Sequence, residues 1–315
     1  MRRRLSKVGK ETCKCEAVRV VSASTPEVTL PLSFAVHESG DLHVSERLAT
    51  SGEWEPFETE IIRRLLTAGP RSPSTLIDAG ANIGWHSVVA AKHGATVQSF
   101  EPYPPNVALL RSNIERNGVG GRVVAHPVAL GDVPGAVRLH VSATNQGDHR
   151  LHVGSASDPQ RERPFVIVEQ TTLDLVLPSF RPSVSTLGRI VVKLDTQGSE
   201  TSILRGARSL WDPQRGVNTT SIVTEFWPYG LDRCGSSGAE LVSLLSPLLT
   251  SHRCFHLMEN ERRLVELDAE HLARLANSVG LSLDVRGFTS LVLVPLDQVR
   301  CLVDLVATWS SVLRS

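Results

Sequence analysis

From residue 75 onward, short apolar runs alternate with amphipathic stretches, and this alternation constrains the fold more than any other feature of the chain. Each apolar run has the length of a buried strand, and most of the stretches between the runs have the length of a crossover helix. Such alternation is typical of an open α/β sheet that is doubly wound and mostly parallel. Seven runs predict the strands of one central sheet: TLIDAG, TVQSFEP, RVVAHPVAL, RIVVKLDTQG, SIVTEF, RCFHLME and FTSLVLVPL.

Two regions depart from this rhythm. Residues 26–46 alternate weakly and predict a hairpin that turns at residues 39–41, and PFETEIIRRLLTAG after them predicts an amphipathic helix. Residues 133–189 are too long for a simple crossover, and their apolar runs predict extra strands and a short helix around a polar stretch. The expected parts are an N-terminal arm and hairpin extension at 1–56, a main domain at 57–300 with a β-rich insertion after the third strand, and a C-terminal helix at 301–315.

The charge and the cysteines limit the classes of function. Lys and Arg together number 33, as do Asp and Glu, so the formal net charge is zero and the basic excess of a nucleic-acid-binding protein is missing. No run approaches the roughly 18 apolar residues of a membrane span, and the basic start lacks the apolar stretch of a signal peptide. The five scattered cysteines indicate reduced thiols. We expect a cytoplasmic protein with no nucleic-acid partner and no membrane span.

The stretch LIDAGANIGWHS lies where the first strand should turn into a helix. Gly80 and Gly84 allow backbone amides to approach a ligand, and the helix N-terminus offers free N–H groups to an anion. The dinucleotide fingerprint G-x-G-x-x-G fails, because Asn82 and Trp85 occupy its second and third glycine positions. The pattern is instead D-x-G-x-N-x-G, in which Asp78 suits an ammonium group and the glycine turn suits a carboxylate. These are the two charges of an amino acid.

The second strand ends in FEP, and Glu101 there is placed to accept both hydroxyls of a ribose. An amino acid and a ribose bound side by side indicate S-adenosylmethionine as the cofactor. The alternative is that Asp78 merely caps a helix and that Glu101 is a surface acid.

Six stretches between about residue 56 and residue 228 form a more specific combination: DAGANIGWHS, SFEPYPPNVALLRSNIERNG, VALGD, TTLDLVL, VVKLDTQGSETSILRGA and IVTEF. Together they resemble the FkbM family of S-adenosylmethionine-dependent methyltransferases. The family pattern at the fourth strand usually reads K-x-D-x-E-G-x-E, and here Gln197 replaces the first Glu. The resemblance implies the class I methyltransferase (Rossmann-like) fold, O-methylation of sugar or natural-product hydroxyls, and a cofactor site at Asp78, Gly80, Asn82, Gly84 and Glu101.

A hydroxyl acceptor must lose a proton during methyl transfer, so a base is expected near the cofactor. Asp195 is the first candidate, because it lies at the carboxyl end of the fourth strand, next to the expected cofactor pocket. LDTQG there replaces the Asn/Asp-Pro-Pro-Tyr of many methyltransferases that act on nitrogen, which favours an oxygen acceptor. His149 on the insertion is the second candidate, since imidazole exchanges protons near neutral pH. Lys193 shares a strand face with Asp195, and Glu225 on the neighbouring strand is expected to reach Lys193.

Each catalytic candidate has a structural alternative. Lys193, Glu225 and Glu200 would then form an ion cluster, and His149 would be an exposed loop residue. Asp195 and Glu225 could supply oxygen ligands to a divalent metal, but no third ligand is evident, so we expect no metal.

The expected function is therefore S-adenosylmethionine-dependent O-methylation of a small hydroxylated acceptor. One alternative is a non-catalytic methyltransferase-like module that binds the cofactor. The presence of Gln197 in place of the family's Glu favours this alternative. A second alternative is a nicotinamide oxidoreductase.

Overall fold

A computed structural model of the chain describes residues 18–25, 31–68, 74–151, 163–180, 189–211, 220–278 and 288–307. Its strands are β1 (Val18–Ala23), β2 (Leu32–His37), β3 (Thr75–Ala79), β4 (Thr96–Phe100), β5 (Val123–His126), β6 (Ala129–Leu130), β7 (Gly135–His140), β8 (Phe165–Thr171), β9 (Ile190–Leu194), β10 (Thr220–Phe226), β11 (His252–Met258), β12 (Arg263–Leu267), β13 (Thr289–Pro295) and β14 (Val306–Ala307). Its α-helices are α1 (Val44–Ser51), α2 (Pro56–Thr67), α3 (Trp85–Lys92), α4 (Pro104–Arg116), α5 (Leu173–Phe180), α6 (Glu200–Arg205), α7 (Arg208–Trp211), α8 (Pro228–Arg233), α9 (Gly238–Leu245) and α10 (Ala269–Ser278). Two 3-10 helices are Ser246–Thr250 and Val299–Leu305.

The central sheet has nine strands in the order β14-β12-β11-β13-β10-β9-β3-β4-β5. Neighbouring strands from β5 to β10 are parallel, while β13 runs antiparallel to both β10 and β11. The strand order reverses between β3 and β9, which is where open α/β sheets bind their ligands. The predicted doubly wound sheet is confirmed, and β12 and β14 extend it by two strands at one edge.

Successive residues of each inner strand face opposite sides of this sheet. In β3, Leu76 packs with the N-terminal hairpin, α2, α3 and α4, while Ile77 packs with α5, α6, α9 and α10. Both side chains are fully buried. Burying one such side chain stabilises the fold by about 1.5–3 kcal/mol, which explains why the parallel strands appear in the sequence as continuous apolar runs.

The N-terminal hairpin exists, but the predicted turn at residues 39–41 is wrong. The hairpin pairs β1 with β2, so its turn precedes β2 instead of following it. After β2 the chain bends and enters α1, because the carboxylate of Asp41 accepts hydrogen bonds from the backbone N–H groups of His43 (3.3 Å) and Ser45 (2.8 Å). Asp41 therefore satisfies free amides at the start of a helix instead of turning a hairpin.

The insertion after β5 forms a small three-stranded sheet of order β6-β8-β7, followed by α5. The run RVVAHPVAL, predicted as one strand, is divided between β5 and β6. At the C-terminal end, where we expected a helix at 301–315, the described residues form a 3-10 helix over Val299–Leu305 and the short β14. Residues 308–315 and the first two cysteines, Cys13 and Cys15, lie outside the described residues. Within the described ranges, no helix is long and apolar enough to span a membrane.

Candidate active site

A cavity of about 450 Å³ lies at the carboxyl ends of β3, β4 and β9. This volume is in the range of small-molecule sites. Two segments outside the sheet complete its walls: Trp54 and Glu55 before α2, and residues 145–151 from the insertion. The cavity therefore combines the switch point of the sheet with the N-terminal extension and the insertion.

Two glycines allow the turn after β3 to pack tightly. Gly80 has a φ of +82°, and a Cβ built on it would overlap the backbone carbonyl of Asp195. Gly84 has a φ of +92°, and a Cβ there would lie 2.6 Å from Cδ1 of Leu110 on α4. Only glycine combines this backbone conformation with such close contacts. The turn thereby lies directly against the end of β9, where the candidate base is located.

Glu101 is buried at the end of β4 and held by two backbone amides. Its Oε2 accepts from the N–H of Asn82 at 2.9 Å, and its Oε1 accepts from the N–H of Tyr103 at 2.8 Å. Burial raises the pKa of Glu101 to about 7, although the two amide hydrogen bonds oppose the rise. Each carboxylate oxygen keeps a further lone pair, so Glu101 can still accept hydrogen bonds from two neighbouring hydroxyls.

Several buried polar atoms in or beside the cavity have no hydrogen-bond partner among the described residues: Oδ1 of Asp78, Oδ1 of Asn82, Oε1 of Gln146 and Nε2 of His149. Leaving such atoms unpaired is costly, so the set indicates a polar ligand. Asn82, Gln146 and His149 line the cavity. Asp78 does not, and its Oδ2 accepts from Oγ of Ser87 at 2.5 Å. The role of Asp78 toward an ammonium group stays a prediction.

The carboxylate of Asp195 faces the cavity and is 25% exposed. Its Oδ2 lies 2.8 Å from Nζ of Lys193, a side chain that is only 2% exposed. Burial alone would raise the pKa of Asp195, but the ammonium of Lys193 and hydrogen bonds from Lys193 and Gln197 outweigh it, so this pKa is lowered. Burial would likewise lower the pKa of Lys193, but the nearby carboxylates, Asp195 first, raise it well above its ordinary value. The pair is therefore ionised at neutral pH.

Gln197 joins this pair to Glu225. Its Nε2 donates to Oδ1 of Asp195 at 2.9 Å and to Oε1 of Glu225 at 3.0 Å, and its backbone N–H donates to Oε2 of Glu225 at 3.1 Å. The expected contact between Lys193 and Glu225 is not formed. Val223 is the residue of β10 opposite Lys193, so Glu225 lies further along the strand, beside Gln197, and Lys193 turns toward α2. Burial, with Asp195 nearby, raises the pKa of Glu225 well above its ordinary value.

Two carboxyls from the start of α2 complete the network, and the sequence interpretation missed both. Oε2 of Glu55 lies 3.2 Å from Nε2 of His86, and Oε1 of Glu58 lies 3.6 Å from Nζ of Lys193. Burial raises the pKa of Glu55 to about 8 and that of Glu58 to about 7, and it lowers the pKa of His86 to about 4. The available signal was their spacing of three residues, which puts both carboxyls on one face of a helix start.

His149 lines the cavity with its ring 4.2 Å from that of Tyr103. Its Nδ1 accepts a hydrogen bond from the N–H of Ser142 at 3.1 Å. In the neutral ring the proton must then be on Nε2, which is the atom without a partner. Burial lowers the pKa of His149 to about 4. This geometry favours a hydrogen-bond donor over a proton acceptor.

The family model of the FkbM methyltransferase domain matches residues 78–248, more than half of the chain. The chain belongs to the FkbM methyltransferase family. S-adenosylmethionine is accordingly its methyl donor, and the match contains every cofactor and catalytic candidate that the sequence suggested. Glu55 and Glu58 lie outside it.

Several solved methyltransferases have folds similar to that of this FkbM methyltransferase. An O-methyltransferase of Bacillus cereus, crystallised with S-adenosylhomocysteine, is 12% identical with a TM-score of 0.38, over 76% of this chain and 81% of its own. The precorrin-6y C5,15-methyltransferase of Geobacter metallireducens is 10% identical with a TM-score of 0.34, over 76% and 88%. A geranyl diphosphate methyltransferase in complex with GPP and sinefungin is 11% identical with a TM-score of 0.38, over 79% and 77%. No curated protein matches the sequence significantly, and the family assignment depends on the domain match alone.

The predicted site residues of the FkbM methyltransferase divide into two groups. Those that line the cavity are Gly80, Asn82, Glu101, His149, Lys193 and Asp195. Those that do not line it are Asp78, Gly84 and Glu225. Glu200 is separate from both groups, since its carboxylate accepts from the N–H groups of Thr196 and Gly198 and so fixes the turn after β9.

A group of possible metal ligands also borders the cavity. Glu55, Glu58 and His86 have ligand atoms within 4.8 Å of one another. The ammonium of Lys193 lies 3.6 Å from Glu58, however, so a positive charge already occupies this cluster. We assign the three side chains to the hydrogen-bonding and charge network around Asp195.

Proposed function

We propose that this FkbM methyltransferase transfers a methyl group from S-adenosylmethionine to a hydroxyl of a small molecule, such as a sugar unit or a secondary metabolite. The carboxylate of Asp195 carries the proposal. It follows the fourth parallel strand of the sheet, faces the cavity, and is held by Lys193 at 2.8 Å and by Gln197 at 2.9 Å. A carboxylate fixed in this way suits an acceptor that must give up a proton.

The residues that would hold the cofactor follow from the turn after β3. When bound, S-adenosylmethionine supplies a methyl group on a sulfonium, which leaves as a neutral thioether. The backbone N–H groups of Gly80, Ala81 and Gly84 already donate within the protein, so this turn would offer the cofactor the unpaired Oδ1 of Asn82 as an acceptor. Glu101 would accept from the ribose hydroxyls.

Asp195 would take the proton of the acceptor hydroxyl. As the new C–O bond forms, the acceptor oxygen becomes strongly acidic, so a carboxylate with a lowered pKa is basic enough. The hydroxyl O–H bond breaks, its electrons stay on oxygen, and the proton moves to the carboxylate. Lys193 and Gln197 keep that carboxylate ionised and oriented beforehand. His149 would hydrogen-bond to the cofactor or acceptor through its free Nε2–H.

Gln197 does not argue against turnover in this arrangement. Its amide donates to Asp195 and Glu225 and leaves the carboxylate of Asp195 intact. The alternative of a non-catalytic module is tested by incubating the protein with methyl-labelled S-adenosylmethionine and a panel of hydroxylated sugars and metabolites. We expect the labelled methyl group to appear in the methyl ether of at least one panel member. S-adenosylhomocysteine binding without label transfer to any member of a broad panel would favour the module.

We also propose a cytoplasmic location. Cys254 and Cys301 form no disulfide within the described part of the chain, as is typical of proteins in reducing compartments. Cell fractionation with an antibody to the protein tests this location, and recovery outside the cytoplasm would contradict it.

A further inference from the structure

We propose that Glu55, acting together with Asp195, binds the positive charge of the methyl donor's sulfonium and so makes the site select S-adenosylmethionine over its neutral product. The inference depends on the proposed function in one respect, because it is Asp195 as base that places the reactive methyl group at this end of the cavity. Glu55 lies outside the matched family domain, and its role is inferred here from its own contacts.

The backbone directs Glu55 into the cavity. Its φ of +42° and ψ of +63° are left-handed, a conformation that residues with a Cβ adopt at a cost and that often marks functional positions. Glu55 is the N-cap residue of α2, yet its side chain does not cap the helix. Glu259 performs that task, because its two carboxylate oxygens accept from the N–H groups of Phe57 (2.8 Å) and Glu58 (2.9 Å). The Glu55 carboxyl is left free to line the cavity, where 21% of its side chain is exposed.

The carboxyls around Glu55 outnumber the ammonium groups, so one more positive charge can be bound there. The titratable groups near it are Glu58 on its own helix, His86 on α3, Lys193 on β9, Asp195 after β9 and Glu259 in the turn after β11. Glu55 and Asp195 are the two carboxyls of this group that line the cavity, and Lys193 supplies one ammonium against them. Burial raises the pKa of Glu55 to about 8, so in the ligand-free protein near neutral pH it holds a proton.

A bound sulfonium would balance these charges with Glu55 ionised. Glu55 and Asp195 then carry two negative charges, and Lys193 and the sulfonium carry two positive ones. After transfer, Asp195 holds the acceptor's proton and the thioether is neutral, so the charge of Lys193 balances that of Glu55. The charges of these groups thus sum to zero before and after the reaction. The product lacks the charge that Glu55 attracts, which favours its release.

The test compares S-adenosylmethionine with S-adenosylhomocysteine, which share every charged group except the sulfonium. Isothermal titration near neutral pH, in two buffers of different ionisation enthalpy, gives both the Kd and the number of protons released. We expect wild-type protein to release roughly one proton with S-adenosylmethionine and close to none with S-adenosylhomocysteine. Sinefungin carries an amine in place of the sulfonium, so it should bind more tightly than S-adenosylhomocysteine.

Glu55→Gln keeps the shape of the side chain and removes its charge. We expect it to weaken S-adenosylmethionine binding about tenfold, to change S-adenosylhomocysteine binding by less than about twofold, and to abolish the difference in proton release. Glu53→Gln is the matched control, since it removes a negative charge two residues away that does not line the cavity. It should leave both affinities unchanged.

The outcomes separate this inference from the proposed function. If Glu55→Gln weakens both ligands equally, or if wild-type protein releases the same number of protons with each, the role of Glu55 is wrong while the cofactor site stands. If neither ligand binds wild-type protein, the cofactor site and the inference fail together.

Discussion

At the residue scale, Gly80 is the position least able to accept another residue, because there is no space for a Cβ. We expect Gly80→Ala to lower the free energy of unfolding by roughly 3 kcal/mol, because the new Cβ meets the backbone of Asp195 in addition to the strain of a φ of +82°. Gly94→Ala is the control, since Gly94 has a φ of +93° but nothing within 4 Å of the added atom. It should cost only about 1 kcal/mol. Urea denaturation measures both changes, and equal losses would mean that the end of β9 yields to the added methyl group.

A second prediction at this scale concerns the base. Asp195→Asn should slow methyl transfer by about 10²–10⁴, because the amide cannot take the acceptor's proton, while the affinity for S-adenosylhomocysteine changes little. Asp232→Asn, at a surface position 48% exposed, is the control. Single-turnover kinetics with labelled cofactor, alongside titration with S-adenosylhomocysteine, separates the two effects. Unchanged turnover would exclude Asp195 as the base.

At the scale of elements, the start of α2 depends on a residue far away in the chain. Glu259 accepts from the N–H groups of Phe57 and Glu58, and so caps a helix about 200 residues earlier in the sequence. Glu259→Ala should therefore lower the free energy of unfolding by about 1 kcal/mol, the usual value of a lost N-cap. Glu261→Ala, which removes a more exposed carboxylate from the same turn, should cost less than about 0.5 kcal/mol. Equal effects in thermal or urea unfolding would contradict the capping role.

The elements themselves could largely be predicted from the sequence, and the failures have local causes. The strands of the parallel half were found because both of their faces are buried, which makes them continuous apolar runs, as for Leu76 and Ile77. The hairpin turn was misplaced because Asp is common in turns, whereas Asp41 accepts a backbone hydrogen bond at the start of α1. Strand β12 and helix α10 were missed. RLVEL has only five residues, two of them charged, so it carries no strong strand pattern.

At the scale of the whole molecule, the site is assembled from three parts of the chain that only the tertiary fold brings together. The position of the expected cofactor residues could be predicted because they follow consecutive strands, whose carboxyl ends share one edge of the sheet. The other half could not. Glu55 reaches the cavity through a strained backbone, and His149 through the fold of the insertion. No periodicity encodes either position, and the tautomer of His149 depends on one backbone amide, that of Ser142.

The buried carboxyls of this site make the stability of the whole molecule depend on pH. Burial raises the pKa of Glu55 to about 8 and those of Glu58 and Glu101 to about 7, so above pH 4.5 the folded chain holds protons that the unfolded chain has released. Stability from a raised pKa is present below the unfolded value and is lost as the pH rises through the folded value. Below pH 6.5 the neutral, buried His86 and His149 act in the opposite direction, because the unfolded chain binds protons that they do not.

We therefore expect the unfolding free energy of the ligand-free protein to fall between about pH 6.5 and pH 8, where the histidines no longer oppose the carboxyls. One proton contributes at most about 1.4 kcal/mol per pH unit. Glu55→Gln removes the group that titrates nearest pH 8, so its stability should decline less steeply over this interval, whereas Glu53→Gln should follow the wild type. Urea denaturation at several pH values gives the slopes. If the slopes of wild type and Glu55→Gln are the same, Glu55 is already ionised in the free protein, and no proton is left there for the sulfonium to displace.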